Sequence, residues 1–319
     1  MKKICLIGAG NWGKNYLPIL YKRKSLFGIV ESNLDTVNSL KIKYPQTKFY
    51  HDINKVSLEE YDGYIIATPA NTHFEIAKKI LNAKKSVLVE KPMTSSYEDS
   101  KILYELSIEK KTNLMVGHVL LFHPAFIKIK ELITNGKLGD LQYIYSNRLN
   151  LGKIRNHENV FWSFAPHDIA LFQFIINKNP KKILSDGISH LQSGIHDSTI
   201  TLIKYPNKIM GHIFVSWLHP FKEHRFVVVG NKGMISFEDS KDKKPLLFYD
   251  KSIEWKGDIP IPKDGKTTEI KYDQTKPLDN QVDYFLNHLY KNKITKSDAK
   301  SGLKVMEILH KSTYQLNKD

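Results

Sequence analysis

Short apolar runs alternate with longer, more polar stretches through the first third of the chain, and that alternation sets the expected architecture. Ile4 to Ile7 is apolar at every position, which suits a strand buried on both faces, and the polar segment from Trp12 to Lys24 reads as the helix behind it. The pattern then repeats. Leu26–Val30, Lys48–Tyr50, Asp62–Ala67, Ser86–Val89 and Asn113–Gly117 read as strands. Helices are expected over Leu34–Tyr44, from the capping-box stretch Thr72-His-Phe-Glu75 to Ala83, and over Tyr97–Lys111 after Ser95 or Ser96. Strands alternating with helices mean βαβ units and a parallel sheet, whose ligands lie beyond the carboxyl ends of the strands. That rule places Gly8–Gly13, Glu31, Thr68–Asn71, Glu90–Pro92 and His118 on one rim.

Near residues 118–123 the pattern changes, so the domain boundary is expected there: 1–120 as one domain and 121–319 as the other. His123-Pro-Ala-Phe starts a helix to about Asn135. Strand candidates then dominate: Leu141–Leu149, Lys182–Ser189, Ser198–Tyr205, Ile209–Trp217, Arg225–Gly230, Met234–Phe237 and Leu246–Tyr249. Turn residues at Tyr205-Pro-Asn-Lys208 and Gly230-Asn-Lys-Gly233 predict hairpins and a largely antiparallel sheet. An almost wholly apolar helix, Asp168 to Ile176, interrupts them and must be buried. Lys251–Lys276 reads as loop with one strand at most, and amphipathic helices over Leu278–Lys291 and Asp298–Leu316 close the chain.

The first strand runs into Gly8, Gly10 and Gly13, spaced G-x-G-x-x-G. Gly8 permits a tight turn, Gly10 lets a pyrophosphate approach the backbone, and Gly13 lets the helix pack on the strand with its N-terminus toward the phosphates. Glu31 ends the second strand, roughly 20 residues on, where an acid holds the adenosine ribose diol. An acid there repels a 2′-phosphate, so the expected cofactor is NAD rather than NADP; the alternative for Glu31 is an ordinary strand-end carboxylate.

Composition alters this picture in three places. No apolar run approaches the ~18 residues of a membrane span, and the run behind Met-Lys-Lys is too short for a signal peptide, so a cytoplasmic protein without membrane partners is expected. Cys5 is the single cysteine, which rules out an intrachain disulfide and a cysteine zinc cluster. The formal charge of +15 favours anionic partners, yet the lysines are scattered in pairs, so nucleic acid is not expected.

G-A-G-N-W-G at 8–13, A-T-P-A-N-T-H at 67–73, V-E-K-P at 89–92, G-H-V-L-L-F-H-P-A-F from 117 and A-P-H-D-I-A-L-F at 165–172 together resemble the Gfo/Idh/MocA family of sugar oxidoreductases over essentially the whole chain. R-L-N-L-G-K-I-R from 148, running into E-N-V-F-W-S-F-A-P-H-D, looks most like the branch acting on nucleotide sugars, such as UDP-N-acetylglucosamine 3-dehydrogenases. The resemblance implies an α/β Rossmann domain followed by an α+β domain with an open, mainly antiparallel sheet covering the nicotinamide, assembled as a homodimer or homotetramer. It also implies a nucleotide-sugar substrate, a role in cell-surface polysaccharide or lipid A sugar synthesis, and an aminotransferase acting next. It extends the cofactor set to Asn11, Trp12, Thr68, Pro69, Asn71, His73, Glu90, Lys91 and His118. From the residues alone, Asn71 and His73 are also explained as a helix start.

Oxidising a sugar hydroxyl requires a base for the O–H proton and a cation to polarise the oxygen as hydride leaves the carbon. Lys91, held on the rim before Pro92, and His167 can supply both, and in the resemblance they are the catalytic residues. His167 is expected at the start of the buried helix, where the helix dipole keeps the ring neutral, although Asp168 pulls the other way. The alternatives are a surface lysine and a capping or core histidine. The family often carries an aspartate four positions before this histidine; here it is Ser163. Arg148, Arg155 and His157 are expected to grip a substrate pyrophosphate, with solvated surface arginines as the alternative, and His123 to line the substrate cleft or cap a helix. The remaining histidines lack metal-ligand spacing, so no metal is expected. A free sugar or polyol substrate, the reductive direction, and a non-catalytic dinucleotide or sugar sensor are the rival readings.

Overall fold

The computed structural model describes residues 1–290 and 292–317, which divide into two compact units: 1–122 with 275–307, and 123–274 with the chain from 308 on. Lys291, the expected end of a helix, and Lys318 and Asp319 of the expected second domain lie outside the described residues.

The first unit runs β1 (Ile4–Ile7), α1 (Tyr16–Lys22), β2 (Leu26–Val30), α2 (Leu34–Lys43), β3 (Lys48–Tyr50), β4 (Gly63–Ile66), α3 (His73–Asn82), β5 (Ser86–Val89), α4 (Tyr97–Glu109) and β6 (Leu114–Val116). The strands form one parallel sheet in the order β3-β2-β1-β4-β5-β6, as the alternating pattern predicts. β1, β4 and β5 are buried at every position, because helices cover both faces of a doubly wound sheet. The order reverses at β1, and this switch point is where such sheets bind ligands. Two local expectations fail. A short 3-10 turn at Gly13–Asn15 precedes α1, which starts only at Tyr16. Thr72 caps nothing: its hydroxyl donates to the Pro69 carbonyl, so the capping box is not formed.

In the second unit, α5 (Pro124–Thr134) leads to β7 (Leu141–Leu149), α6 (Val160–Ile176), β8 (Lys182–Ile188), β9 (Ser198–Lys204), β10 (Met210–Ser216), β11 (Glu223–Gly230), β12 (Met234–Glu238), β13 (Leu246–Tyr249), β14 (Ser252–Lys256), β15 (Ile259–Lys263) and β16 (Thr267–Glu269). Eight strands order as β16-β13-β12-β11-β7-β10-β9-β8, antiparallel except for β7 beside β10, and β14–β15 form a separate ribbon. The β9–β10 turn carries Asn207 and Lys208 at positive φ, the backbone that a tight hairpin requires. α6 begins eight residues before the expected Asp168, because the Asn159 side chain accepts from Trp162 N at 3.0 Å and starts the helix there. It continues through Pro166, whose missing hydrogen bond is offset by the burial of nearly the whole helix among the apolar inner positions of the sheet.

The chain then returns. α7 (Pro277–Asn287) packs in the first unit, and α8 (Ala299–Leu316) belongs to the first unit through Glu307 and to the second from Ile308. Residues that composition assigns to the second domain therefore finish the first. Ser297 closes the outer edge of β6, its Oγ donating to Val116 O at 2.7 Å and its carbonyl accepting from Val116 N at 2.8 Å. No helix among the described residues is long and apolar enough to cross a membrane.

Asn159→Ala removes the α6 cap and is expected to lower stability by about 0.5–2 kcal/mol. Chemical denaturation checks it, and an unchanged midpoint would mean that the side chain does not start the helix.

Candidate functional site

The glycine loop after β1 is shaped for close approach. Gly8 has φ +86°, and a Cβ there would lie 2.8 Å from Thr68 Cγ2. A Cβ on Gly13 would sit 2.0 Å from Gly8 O, so the turn cannot close with any other residue. Gly10 faces open space, and a side chain there would fill it. This is the cradle a dinucleotide diphosphate needs: room above the loop and a backbone that a phosphate can reach. Glu31 accepts from Ala9 N at 2.9 Å and from Asn33 N at 3.0 Å, which fixes the carboxylate between the loop and the end of β2. The glycine loop therefore fits the diphosphate of NAD, and Glu31 stands fixed beside it at the end of β2.

The end of β5 is braced from beneath. Glu90 is buried and accepts from Trp12 Nε1 at 2.6 Å, from the Tyr16 hydroxyl, and from Lys91 N at 3.1 Å. Burial raises its pKa against these donors. A Cβ on Gly117, just past the end of β6, would meet Glu90 Oε2 at 2.7 Å and Cα at 3.0 Å, so a side chain there would displace the carboxylate. Lys91 stands half-buried at the head of this brace, followed by a cis Pro92. His118 is buried, and burial together with the Lys91 charge pulls its pKa down to about 3. His73 is buried too, its Nδ1 2.9 Å from Pro92 O and its Nε2 2.9 Å from Thr68 O. It staples the turn after β4 to the turn after β5. Thr68 pairs its hydroxyl with Thr72 at 2.7 Å, while Asn11, Trp12, Pro69 and Asn71 are exposed on this rim. Glu90 and His73 are thus spent on holding the rim in shape.

In the second unit the chemistry gathers between β7, α6 and β11. Asp168 is fully buried and accepts from Ser146 Oγ at 2.7 Å, and from Arg148 Nε and Nη2 at 2.9 Å each. Burial disfavours the Arg148 charge, but Asp168 outweighs it and raises the guanidinium pKa. His167, next in sequence to Asp168, is half-buried on the same turn of α6. It lies seven residues into the helix, so the N-terminal dipole expected to keep it neutral has faded there. Arg155 Nε reaches Ser163 Oγ at 3.1 Å and Glu158 at 3.0 Å. His157 is exposed, 3.2 Å from Asn156 Oδ1. His123 caps α5, its Nδ1 accepting from Ala125 N at 3.1 Å, with its ring against Phe126, Phe237 and Tyr272.

The charge argument for a pyrophosphate grip is corrected by these contacts. Arg148 and Arg155 both face carboxylates, so a phosphate-free substrate would not leave them unpaired. The sequence reading also passed over His224, which lies opposite Arg148 in the β7–β11 register. Burial, then Arg148 and Lys222, lower its pKa to about 4, which leaves a neutral imidazole beside a fixed cation. Knowing the strand register would have found it; residue spacing alone could not. Among the described residues no cluster of histidine, cysteine, aspartate and glutamate could hold a metal.

His118 generates a pH prediction. Its folded pKa of about 3 lies below the unfolded value of about 6.5, so the unfolded chain binds the extra proton between them. Stability should fall as pH drops below about 6.5, and His118→Gln should flatten that slope. Denaturation midpoints across the interval test it; an equal slope in both proteins counts against the buried neutral ring.

Residues 2–118 match the family described as "Oxidoreductase family, NAD-binding Rossmann fold", and residues 126–236 match "GFO/IDH/MocA C-terminal domain". An uncharacterized oxidoreductase of Streptococcus pneumoniae is 27% identical over 197 residues, covering 57% of this chain and 54% of that protein. The chain thus spans little more than half the length of that relative. A myo-inositol 2-dehydrogenase of Thermotoga maritima is 23% identical, covering 70% of each chain. The crystal structure of UDP-N-acetylglucosamine 3-dehydrogenase GnnA from Acidithiobacillus ferrooxidans superposes with a TM-score of 0.85 at 20% identity, over 98% of this chain and 97% of that one. With both of its units matched in order, the chain belongs to the GFO/IDH/MocA oxidoreductase family, and its first unit is the family's NAD-binding Rossmann domain.

Proposed function

We propose that the protein is an NAD-dependent dehydrogenase that oxidises a ring hydroxyl, at C3, of a nucleotide sugar such as UDP-N-acetylglucosamine, giving a keto sugar suited to an aminotransferase. The observation that carries the dehydrogenase reading is the braced lysine. A buried carboxylate, two aromatic donors and a staple histidine all converge on the backbone around Lys91, an expenditure that a surface lysine does not require. When bound, NAD supplies the two-electron acceptor for the carbinol carbon. Lys91 Nζ donates a hydrogen bond to the substrate oxygen and stabilises negative charge on it. A ring nitrogen of His167 takes the hydroxyl proton. Asp168, locked by Arg148 and Ser146, fixes the turn of α6 that presents His167.

The nucleotide-sugar assignment is supported by the full-length likeness to the GnnA enzyme and by the 148–167 stretch. A free polyol is the second reading. It is favoured by the inositol dehydrogenase relative and by the carboxylates already paired with Arg148 and Arg155.

Lys91→Met should leave NAD affinity nearly intact and lower turnover by at least ~10²-fold, the low end of an acid–base contribution. His167→Asn should also slow turnover while NAD binding persists. If neither variant is slower on the true substrate, the pair is misassigned. For the substrate, the enzyme is incubated with NAD and UDP-N-acetylglucosamine, its uronic acid, myo-inositol or glucose 6-phosphate, with 2-oxoglutarate added to recycle a retained cofactor. Oxidation of a nucleotide sugar is expected. Oxidation of inositol or the sugar phosphate alone would transfer the assignment to the second reading.

A further inference from the structure

In a parallel sheet wound by helices, every helix-to-strand turn lies at the amino ends of the strands, opposite the rim that the glycine loop occupies. In this protein those turns are basic. Lys22–Lys24 end α1, Lys41 and Lys43 stand in the last turn of α2, and Lys84-Lys85 and Lys110-Lys111 follow α3 and α4. Pairs that are scattered along the sequence are therefore gathered on one edge, which six strands make about 24 Å wide. Arg23 is engaged by Asp279 and Asp283, Lys85 by Glu59 and Lys110 by Glu109. Lys22, Lys24, Lys41, Lys43, Lys84 and Lys111 are exposed and have no ion pair among the described residues.

Three of these lysines hold a backbone conformation that a side chain disfavours. Lys24, Lys84 and Lys111 follow α1, α3 and α4 at φ +52°, +56° and +53°, the left-handed position that ends a helix and ordinarily carries glycine. The helix dipole favours a cation near each end, but a lysine within the last turn would serve it and leave glycine in the left-handed position. Charge is kept at all three against the backbone preference. Exposed apolar side chains lie among these cations: Tyr21 beside Lys22, Ile42 between Lys41 and Lys43, and Ile108 shortly before Lys110. Ile42 is 86% exposed. Asn113 Nδ2, just before β6, donates to His288 O at 2.6 Å, which brings the exposed Tyr290 to the same edge. The demand of a helix end for a cation explains none of these four.

Unpaired cations interleaved with exposed apolar side chains are the two halves of a bilayer contact, ammonium groups among headgroup phosphates and apolar tips toward the acyl boundary. Nucleic acid fits less well, because the one arginine of these turns is already paired and isoleucines add nothing to the recognition of phosphate or base. A folded acidic protein would hold its lysines in fixed ion pairs, whereas six cations on flexible stems from four separate turns suit a fluid layer of charge. We propose that the amino-end edge of the parallel sheet docks the protein on an anionic lipid bilayer. The lysines of the four turns meet headgroup phosphates, and Ile42 and Ile108 sink beside them. The cofactor rim lies at the other end of the same strands, so docking leaves it uncovered. A surface contact needs no membrane-spanning helix, and it holds whichever hydroxyl the enzyme oxidises.

The test is co-sedimentation of the full chain with vesicles of phosphatidylcholine, either pure or with about one quarter phosphatidylglycerol. Wild type should bind the anionic vesicles at low salt, leave them at about 0.5 M salt and ignore the neutral ones. A triple variant, Lys24→Gly with Lys84→Gly and Lys111→Gly, places glycine where the backbone prefers it. It should therefore fold at least as stably and keep its NAD affinity, yet bind the anionic vesicles at least ~10-fold more weakly. Ile42→Ser should weaken binding several-fold with NAD affinity unchanged. A wild type that stays off the anionic vesicles, or binds both kinds equally, would overturn the proposal. Equal binding by the glycine variant or by Ile42→Ser would do the same. So would a wild type that leaves the vesicles free but binds a short DNA duplex through these lysines, since the edge would then serve nucleic acid.

Discussion

The buried carboxylate of Glu90 is the constraint on which the first unit turns. It sits at the end of a fully buried strand, and a bare carboxylate there would be costly, so donors must come to it. Trp12 and Tyr16 are brought from the loop and helix after β1, and Lys91 supplies its backbone. Gly117 leaves the carboxylate the volume that a side chain would take. One group therefore sets the spacing of the glycine turn, the β5 terminus and the β6 terminus at once. The half-buried lysine beside it takes a fixed backbone position from this network, to which it contributes its own N–H.

The second unit solves a similar problem with an ion pair. Both oxygens of Asp168 accept hydrogen bonds, Oδ1 from Ser146 and Arg148 and Oδ2 from Arg148, so the charge is buried without being orphaned. The pair ties a strand to a helix that carries a proline in its interior. It also consumes the arginine edge that would otherwise suit a diphosphate, so the same residue cannot be credited fully to both tasks.

How much of this was readable depended on whether the signal was local. The six parallel strands and the glycine cradle were legible because a strand buried on both faces is apolar without interruption, and because Gly8, Gly10 and Gly13 answer to steric demands within one turn. The roles of Glu90 and His73 were not, since both resemble cofactor-facing polar residues until their partners, far away in sequence, are seen. The early start of α6 was hidden by Pro166, which reads as a boundary while Asn159 caps upstream of it. Lys251–Lys276 reads as loop with one strand at most, where the structure has three, because lysines, glycine and prolines dilute the alternation of Ile253, Trp255, Ile259 and Ile261. Arg148 was singled out for a substrate diphosphate, whereas the partner the structure gives it, Asp168, lies 20 positions away on another element.

The return of the chain to the first unit has a consequence for synthesis. The edge of β6 is closed by Ser297, 181 residues downstream of Val116, and until that segment has been made the strand keeps a row of unsatisfied donors and acceptors. A nascent chain would hold the nucleotide-binding half open-edged while the whole antiparallel half is being translated. Ribosome-bound intermediates of this protein are therefore exposed to strand-addition errors for most of their elongation, a hazard that a self-contained N-terminal domain would have escaped.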